Sequence, residues 1–462
     1  MIRPTHPVPV DPKCRDAVIV VPGIMGSELV DTATGSVLWG VADPWWYVSA
    51  WTSGNSLKKL AVHSPDPAAE ARRIKARRLL RFPAFMPVLA GLEPYTALLN
   101  GLRDIVPHPA ALLEFAYDWR LPAAYNARLL AEAVDTTLTD WRRFAASRGS
   151  GGAAARAAII AHSMGGLLVR EMAHIPGALD QVRSVITLGT PFQGTLDAVE
   201  MLVGERSAPF PLPRKRLRRL AQTLPAVRDM LPTYACVHDA GRLRELTAAD
   251  LGLDGLEGGG QLATPLPGHI CVVGLGQPTH QSMTVNSGQL DLHRHLLEPG
   301  AGGAGTDSEY VDHTGDGTVY RYSAQQTGAE RFFVHQAHGA LARCKETVDH
   351  VTGVLTDRPP GPAMGGARIG LDAPDTVRLG ETFTVRLTGQ DATAAICVIT
   401  DVASGRTEPR PRLHADPGGG RTGSACLTRP GLYYISATGG GGSSVTRMLL
   451  VADATNSPAE DL

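Results

Sequence analysis

The chain has 462 residues, a formal net charge of −1 and 43% hydrophobic residues. This length exceeds one ordinary domain and predicts two or three, with enough apolar residues to bury a large core. The near-zero net charge gives no overall field that would attract nucleic acid or an anionic membrane, so we expect no nucleic-acid partner.

The first residues lack the charged and then apolar run of a secretory signal. Ala17–Val21, the first sustained apolar stretch, is much too short to span a bilayer. Six scattered cysteines form no C-x-x-C pair, so no zinc or redox signature is present, although Cys397 and Cys426 could pair in an exported protein. As written, the sequence predicts a cytoplasmic protein without a metal or cofactor, and it leaves peripheral contact with a membrane surface open.

Residues 1–356 alternate short, β-branched apolar runs with helical patterns such as 125–144 and 165–173. Runs of this kind suit strands that are buried on both faces. The alternation predicts an α/β domain, a mostly parallel sheet with helices on both sides. The predicted strands are Ala17–Val21, Leu113–Ala116, Ala157–Ile160, Val185–Leu188, Ile270–Val273 and Phe332–Val334.

Two stretches interrupt this alternation. Residues 39–85 contain four of the six tryptophans and a basic run, and residues 200–266 carry a second basic run at 214–219. We interpret both as insertions over one end of the sheet, a cap and a lid.

A Pro- and Gly-rich segment at 357–367 is typical of a linker between domains. The following residues, 368–452, contain several short strand-like runs separated by Gly, Pro and Asp. They predict a small, immunoglobulin-like β-sandwich, for which a carbohydrate or protein contact is one possible role. The polar tail at 453–462 is expected to fray.

The strongest local signal surrounds Ser163. An apolar strand ends at Ala161-His162-Ser163-Met164-Gly165, and an amphipathic helix follows. This is the G-x-S-x-G nucleophile elbow of α/β-hydrolases, with alanine at the first glycine position. The alternative interpretation is a strand-to-helix turn whose serine only caps the helix.

A nucleophilic serine needs a histidine base and a carboxylate, which follow it in the order acid, then histidine. Asp316 stands between two glycines, as expected for a turn that presents a carboxylate, although Asp-Gly is also an ordinary turn. His338 lies in a loop before a predicted helix and is the favoured base, with His335 as the alternative. The oxyanion-hole donors are predicted to be the backbone N–H groups of Met164 and Ile24.

Together these segments resemble the lecithin:cholesterol acyltransferase family, which includes lysosomal phospholipase and phospholipid:diacylglycerol acyltransferases. The Tyr117-Asp118-Trp119-Arg120 block makes the resemblance specific, because a general lipase does not usually carry it. The resemblance implies an α/β-hydrolase fold, the triad Ser163, Asp316 and His338, and acyl transfer on a lipid ester to water or an alcohol. It also implies a lipid-contacting cap, a mobile lid and a structural Asp118–Arg120 pair.

The cap tryptophans Trp45, Trp46 and Trp51 are candidate substrate or membrane contacts, although tryptophans at this spacing more often pack inward. The basic runs could attract phosphate headgroups, but such runs are usually solvated faces. Two other functions are consistent with the same residues. One is a non-catalytic binding protein on a hydrolase scaffold, and the other is a peptidase or thioesterase with the same triad.

Overall fold

The structure is a computed structural model. It describes residues 13–53, 56–85, 91, 94–148, 154–204, 214–253, 255, 265–286, 289–299, 308–358, 368–439 and 442–453. The predicted linker beyond residue 358, the tail beyond residue 453 and parts of the predicted lid therefore lie outside the described residues.

The strands of the described part are numbered in chain order: β1 (Ala17–Val21), β2 (Ser27–Asp31), β3 (Val37–Trp39), β4 (Ile74–Leu79), β5 (Leu112–Glu114), β6 (Ala157–His162), β7 (Val182–Leu188), β8 (Val237–Asp239), β9 (Arg242–Arg244), β10 (His269–Gly274), β11 (Ser282–Asn286), β12 (Gln289–His293), β13 (Leu296–Pro299), β14 (Ser308–Val311), β15 (Glu330–Val334), β16 (Gly370–Asp372), β17 (Thr376–Arg378), β18 (Thr382–Thr388), β19 (Ile396–Asp401), β20 (His414–Ala415), β21 (Arg421–Cys426), β22 (Gly431–Thr438) and β23 (Val445–Ala452). The α-helices are α1 (Pro44–Ser53), α2 (Pro67–Arg73), α3 (Thr96–Ile105), α4 (Ala123–Ser147), α5 (Met164–Met172), α6 (Leu196–Val203), α7 (Arg214–Thr223), α8 (Pro225–Arg228), α9 (Ala248–Leu251) and α10 (Lys345–Leu355).

The central sheet has six parallel strands in the order β15-β10-β7-β6-β1-β5. All five residues of β1 and all six of β6 are buried, as the continuous apolar runs predict for strands covered on both faces. The chain leaves β1 for β5 on one side and returns through α4 to β6 on the other side. Ligands of such sheets bind at the carboxyl ends of the strands beside this reversal, which here lies between β1 and β6.

The C-terminal domain is a sandwich of two four-stranded sheets, β16-β18-β21-β20 and β17-β23-β22-β19. Residues alternate between exposed and buried along β18, and its inward side chains pack with those of the facing sheet. Tyr433, near the start of β22, donates a hydrogen bond of 2.9 Å to the Arg429 carbonyl oxygen in the loop that precedes the strand. The predicted fold class, an α/β-hydrolase domain followed by a small β-sandwich, is confirmed.

The sandwich packs directly against the hydrolase domain. Leu432, Met448 and Leu450 are buried in the same apolar cluster as the central sheet. Helix α1 of the cap contacts β22 and β23. Arg343 of the hydrolase domain lies over the ring of Tyr434, with its guanidinium carbon 5.6 Å from the ring centroid. One face of the sandwich is therefore part of the hydrolase core, while the interior of the sandwich forms a second apolar cluster.

Both predicted insertions contribute strands to sheets that extend beyond their predicted bounds. In the cap, β4 pairs with β2, which precedes residue 39, in the sheet β3-β2-β4. In the lid, β8 and β9 join β11 and β12, which follow residue 266, in the sheet β12-β11-β8-β9, and the pair β13-β14 also follows that residue. The six cysteines are free. Cys397 and Cys426 lie in different sheets of the sandwich.

Candidate active site

Ser163 stands on a strained turn between β6 and α5. Its φ of 53° and ψ of −128° are unfavourable for a residue with a Cβ atom, at a cost of about 1–3 kcal/mol. The turn is held by close packing, because a Cβ on Gly165 would lie 2.5 Å from the Pro22 carbonyl oxygen. A Cβ on Gly166 would lie 2.0 Å from Thr190 Oγ1. The small residues of the elbow are thus required by contacts to neighbouring strand ends.

Three side chains that are distant in sequence form one hydrogen-bonded line. His338 Nε2 lies 2.8 Å from Ser163 Oγ, and His338 Nδ1 lies 2.7 Å from Asp316 Oδ2. With the imidazole proton on Nδ1, His338 donates to the carboxylate and accepts from the hydroxyl. The three residues are buried, with exposed fractions of 5% for Ser163, 1% for Asp316 and 8% for His338. This arrangement can transfer the serine proton to the histidine.

The acid is fixed by its own loop. Asp316 Oδ1 accepts hydrogen bonds from the backbone N–H groups of Thr318, at 3.0 Å, and Val319, at 2.6 Å. The backbone N–H of His338 donates to the Asp316 carbonyl oxygen at 2.8 Å, which joins the two loops. Asp316 therefore keeps one carboxylate oxygen for the loop and one for the histidine.

His335, the alternative base, lies elsewhere. It directly follows β15, and its Nδ1 lies 2.6 Å from the position that a Cβ on Gly276 would take. Its pKa is lowered by burial and by the nearby charge of Arg368. The structure therefore brings His338 to Ser163 and leaves His335 against Gly276.

Of the two predicted oxyanion-hole residues, Ile24 lines the cleft of Ser163, and Met164 directly follows Ser163. Ile24 follows β1 and Met164 opens α5, so both stand beside the chain reversal of the sheet. Within the described residues, neither backbone N–H group forms a hydrogen bond. The positive end of the α5 dipole also points at this position. Two free donors of this kind can stabilise a developing oxyanion.

The cleft at Ser163 has a mainly apolar lining. Besides the triad serine and histidine, its wall includes Ile24, Met25, Pro191, Met230 and Val319. Such a lining suits an apolar chain next to the reactive serine.

A buried chain of hydrogen bonds joins the loop of Ile24 to His338, and the sequence did not predict it. The Gly23 N–H donates to Tyr95 Oη at 2.9 Å, Tyr95 donates to His162 Nδ1 at 2.9 Å, and His162 Nε2–H donates to the His338 carbonyl oxygen at 3.1 Å. Burial lowers the pKa of His162 to about 3, so its ring is neutral at physiological pH, as these hydrogen bonds require. His162 precedes the nucleophile in the elbow, which was the available signal, whereas nothing in the sequence marks Tyr95.

A family model described as lecithin:cholesterol acyltransferase matches residues 89–243. The resemblance to that family is confirmed. The matched segment contains Ser163 and the Asp118–Arg120 block, and it ends before Asp316 and His338. No curated protein matches the chain.

Solved structures similar to the chain include the Tle4-Tli4 complex, with 12% identity over 74% of this chain and 96% of that chain and a TM-score of 0.46. The Bacillus licheniformis lipase BlEst2 in its propeptide form has 12% identity over 96% of this chain and 94% of that chain, with a TM-score of 0.32. The phospholipase PlaB from Legionella pneumophila, in complex with thio-NAD, has 11% identity over 80% and 88% of the two chains, with a TM-score of 0.22. At these low scores, the fold assignment depends on the chain's own sheet order.

The family-specific block forms a buried ion pair. Arg120 is fully buried and donates from Nε and Nη2 to the two carboxylate oxygens of Asp118, at 2.9 and 2.6 Å. Its Nη1 donates to the Leu60 carbonyl oxygen at 3.1 Å and lies 3.5 Å from Glu70 Oε2 in the cap. The pair therefore anchors the cap to the domain below it.

The cap tryptophans have different environments. Trp46 packs edge-on against the fully buried Trp39, whose indole N–H donates to the Met25 carbonyl oxygen at 2.8 Å beside the cleft. Trp45 is 53% exposed, and the side chain of Trp51 lies outside the described part. Trp46 therefore helps to support the oxyanion loop, and Trp45 is the residue that faces solvent.

Part of the first basic run is used in ion pairs with buried carboxylates. Arg73 binds Glu70, and Arg77 and Arg78 both bind Glu28. The side chains of the first three residues of the second run, at 214–216, lie outside the described part. The structure thus gives the first run a role in holding the cap sheet.

Among the described residues, one group has the ligand types and proximity for a metal ion. Potential ligand atoms of Asp197, Glu200 and His280 lie within 4.8 Å of one another. His280 Nδ1 also lies 3.5 Å from Asp197 Oδ1, so a protonated His280 would form an ion pair there. No helix in the described part of the chain is long and apolar enough to cross a membrane.

Proposed function

We propose that this chain catalyses serine-dependent acyl transfer on lipid esters through an acyl-enzyme on Ser163. The observation that supports the proposal is the line of hydrogen bonds from Asp316 through His338 to Ser163. The line ends at an apolar cleft, and the backbone N–H groups of Ile24 and Met164 form no hydrogen bond within the described residues. A serine that only caps the helix would not need all of these features together.

In the first half-reaction, His338 Nε2 takes the Ser163 proton while Oγ forms a bond to the ester carbonyl carbon. The carbonyl oxygen becomes an oxyanion that the N–H groups of Ile24 and Met164 stabilise. Asp316 stabilises the imidazolium. The tetrahedral intermediate then collapses, the alkoxide leaves with the proton from Nε2, and the acyl group remains on Ser163.

In the second half-reaction, water or an alcohol gives its proton to His338 Nε2 and attacks the acyl carbon. The second tetrahedral intermediate then collapses, the bond between Ser163 Oγ and the acyl carbon breaks, and Nε2 returns the proton to Oγ. Water yields a fatty acid, and an alcohol yields a new ester. The apolar cleft favours a substrate with a hydrocarbon chain, and the matching family is described as an acyltransferase. We therefore propose a lipid ester as the acyl donor.

The test compares wild type with Ser163→Ala on phospholipid, neutral glyceride and p-nitrophenyl esters, with and without a lipid alcohol as acceptor. We expect a fluorophosphonate probe to label wild type only, and ester turnover to fall by about 10⁶-fold in the variant. Circular dichroism should show the same fold, because alanine only removes the hydroxyl.

A wild-type protein that reacts with neither the probe nor any ester would contradict the proposal and favour a binding protein. Faster turnover of peptide amides or thioesters than of oxygen esters would instead assign the triad to a peptidase or thioesterase. A new ester in the presence of the alcohol identifies a transferase, and free fatty acid alone identifies a hydrolase.

A further inference from the structure

The sandwich contributes residues to a second cleft next to the one at Ser163. This second cleft borders His338. One wall contains Asp316, Gly317 and Thr318, and the opposite wall contains Thr446, Arg447 and Met448 of β23. Thr318 and His338 border both clefts, so the cleft lined by the sandwich is adjacent to the one at Ser163.

Met448 closes this wall tightly. Its side chain is 2% exposed, and its Cε lies 2.2 Å from the position that a Cβ on Gly91 would take. Gly91 also lines the Ser163 cleft and has a φ of 78°. Because side chains alternate along a strand, Met448 points to the hydrolase domain, whereas Leu449 points into the sandwich.

A buried glutamine ties the loop of the base to the same strand. Gln336 stands two residues before His338 and is 2% exposed. Its Nε2 donates to the Ser444 carbonyl oxygen at 3.0 Å, and its Oε1 accepts from the N–H groups of Thr446, at 3.3 Å, and Ala337, at 2.9 Å. Every polar atom of this amide thus has a partner on the sandwich or beside the base.

A second buried glutamine does the same for the loop of the acid. Gln277 Nε2 donates to the Ile369 carbonyl oxygen at 2.9 Å, and its Oε1 accepts from the Leu371 N–H at 3.0 Å. The backbone of Gln277 pairs with Gly315, the residue before Asp316, through a hydrogen bond of 2.9 Å. The loop of His338 and the loop of Asp316 are therefore each hydrogen-bonded to the backbone of the sandwich.

We propose that the C-terminal sandwich is part of the catalytic site. Met448 on β23 forms a wall that limits the length of the bound chain, and Gln336 and Gln277 are positioning residues for the base and the acid. A separate contact module would need neither fully bonded amides behind the triad nor a strand along the cleft. This inference deepens the proposed acyl transfer and depends on it.

The wall is tested in the full-length protein with a series of p-nitrophenyl esters of increasing acyl length. We expect Met448→Ala to shift the preferred chain length upward and to change the ratio of kcat/KM between long and short esters about tenfold. Leu449→Ala is the matched control, since it shortens the neighbouring residue on the opposite face of β23. The control should lower stability and keep the wild-type preference for acyl chain length. The same preference in all three proteins would contradict the role of Met448 as a wall of the cleft.

The positioning role is tested with Gln336→Met, which keeps the side-chain length and removes its hydrogen bonds. We expect kcat to fall about tenfold with KM unchanged, and the pH–rate profile to shift, because the base loses its fixed orientation. Gln336→Glu keeps the acceptor for Thr446 and Ala337 and should recover part of kcat. A folded Gln336→Met protein with wild-type kcat and pH profile would overturn this role.

The failure of this inference is distinguishable from that of the proposed function. If wild type turns over no ester and does not react with a fluorophosphonate, the proposed acyl transfer and the role of the sandwich are both rejected. If wild type depends on Ser163 for activity while the Met448 and Gln336 variants match it in chain preference and pH profile, only the role of the sandwich is rejected.

Discussion

The carboxyl edge of the central sheet and the cap both concentrate chemically active side chains, yet their environments differ. At the sheet edge, Ser163 and His338 face a cleft, and two backbone donors beside it have no acceptor among the described residues. In the cap, Trp39 and Trp46 pack against each other, and the arginines bind buried carboxylates. Residue type alone therefore does not identify a site.

The difference depends on whether the polar and aromatic groups of each region already have partners within the protein. A strand end that stops in a strained turn presents a hydroxyl and free N–H groups to a ligand. A folded insertion of fewer than fifty residues needs its own aromatic and charged residues to hold itself on the domain below. Four predictions test this contrast between the strand ends around Ser163, which present polar groups to a ligand, and the cap, whose aromatic and charged residues bind one another.

The largest effect is expected at the base. We expect His338→Ala to lower kcat by about 10⁶-fold, because the serine loses its proton acceptor. His335→Ala, in the alternative histidine, should lower kcat by less than about tenfold, since His335 lies against Gly276. Steady-state turnover of a soluble ester measures both, and a larger loss in the His335 variant would reverse the assignment.

A large loss of stability is expected inside the cap anchor. Arg120→Met leaves the buried Asp118 without its cation and removes one of the two arginines beside Glu70, which should lower the free energy of unfolding by about 3–5 kcal/mol. Arg143→Met is the matched control, because this exposed arginine forms an ion pair with the exposed Asp140 on α4, and such pairs contribute about 0–1 kcal/mol. Urea unfolding compares the two, and equal losses would show that the buried pair does not anchor the cap.

Stability should depend on pH through the neutral buried histidines. Burial lowers the pKa of His162 to about 3 and that of His269 to about 4, whereas an unfolded histidine titrates near 6.5. Below about pH 6.5 the unfolded chain therefore binds protons that the folded chain does not, and the free energy of unfolding falls as the pH drops towards 4. Above that pH the full stability is present.

The variant His162→Asn should flatten this dependence between pH 6.5 and 4.5 in urea unfolding. The exposed His174 provides the control, and His174→Asn should keep the wild-type slope. Identical slopes in all three proteins would mean that His162 does not contribute to acid sensitivity.

The smallest effect is expected at the solvent-facing tryptophan. Trp45→Ala should change the free energy of unfolding by less than about 0.5 kcal/mol, because the side chain is 53% exposed. We expect turnover of a soluble ester to stay the same and turnover of phospholipid vesicles to fall about twofold, since an exposed indole favours the interface. Equal vesicle turnover would exclude Trp45 as a lipid contact.

Much of the fold follows from local pattern. The six apolar runs predicted as strands all overlap strands of the central sheet, because continuous burial on both faces leaves a clear mark in sequence. The elbow at Ser163 could be predicted because its small residues are close together in the chain. The hydrogen bonds from Tyr95 to His162 and from the Gln277 side chain to Ile369 could not be predicted, since each joins segments more than sixty residues apart.

By itself, the sequence determined the class of the fold, the position of the candidate nucleophile and the order in which an acid and a base follow it. Strand periodicity and turn chemistry are local, so a single chain contains them. Only the tertiary structure decided which histidine reaches Ser163, that Trp46 packs inward, and that Met448 of the sandwich lines a cleft that borders His338. These outcomes depend on packing between distant segments, and packing is a property of the assembled core.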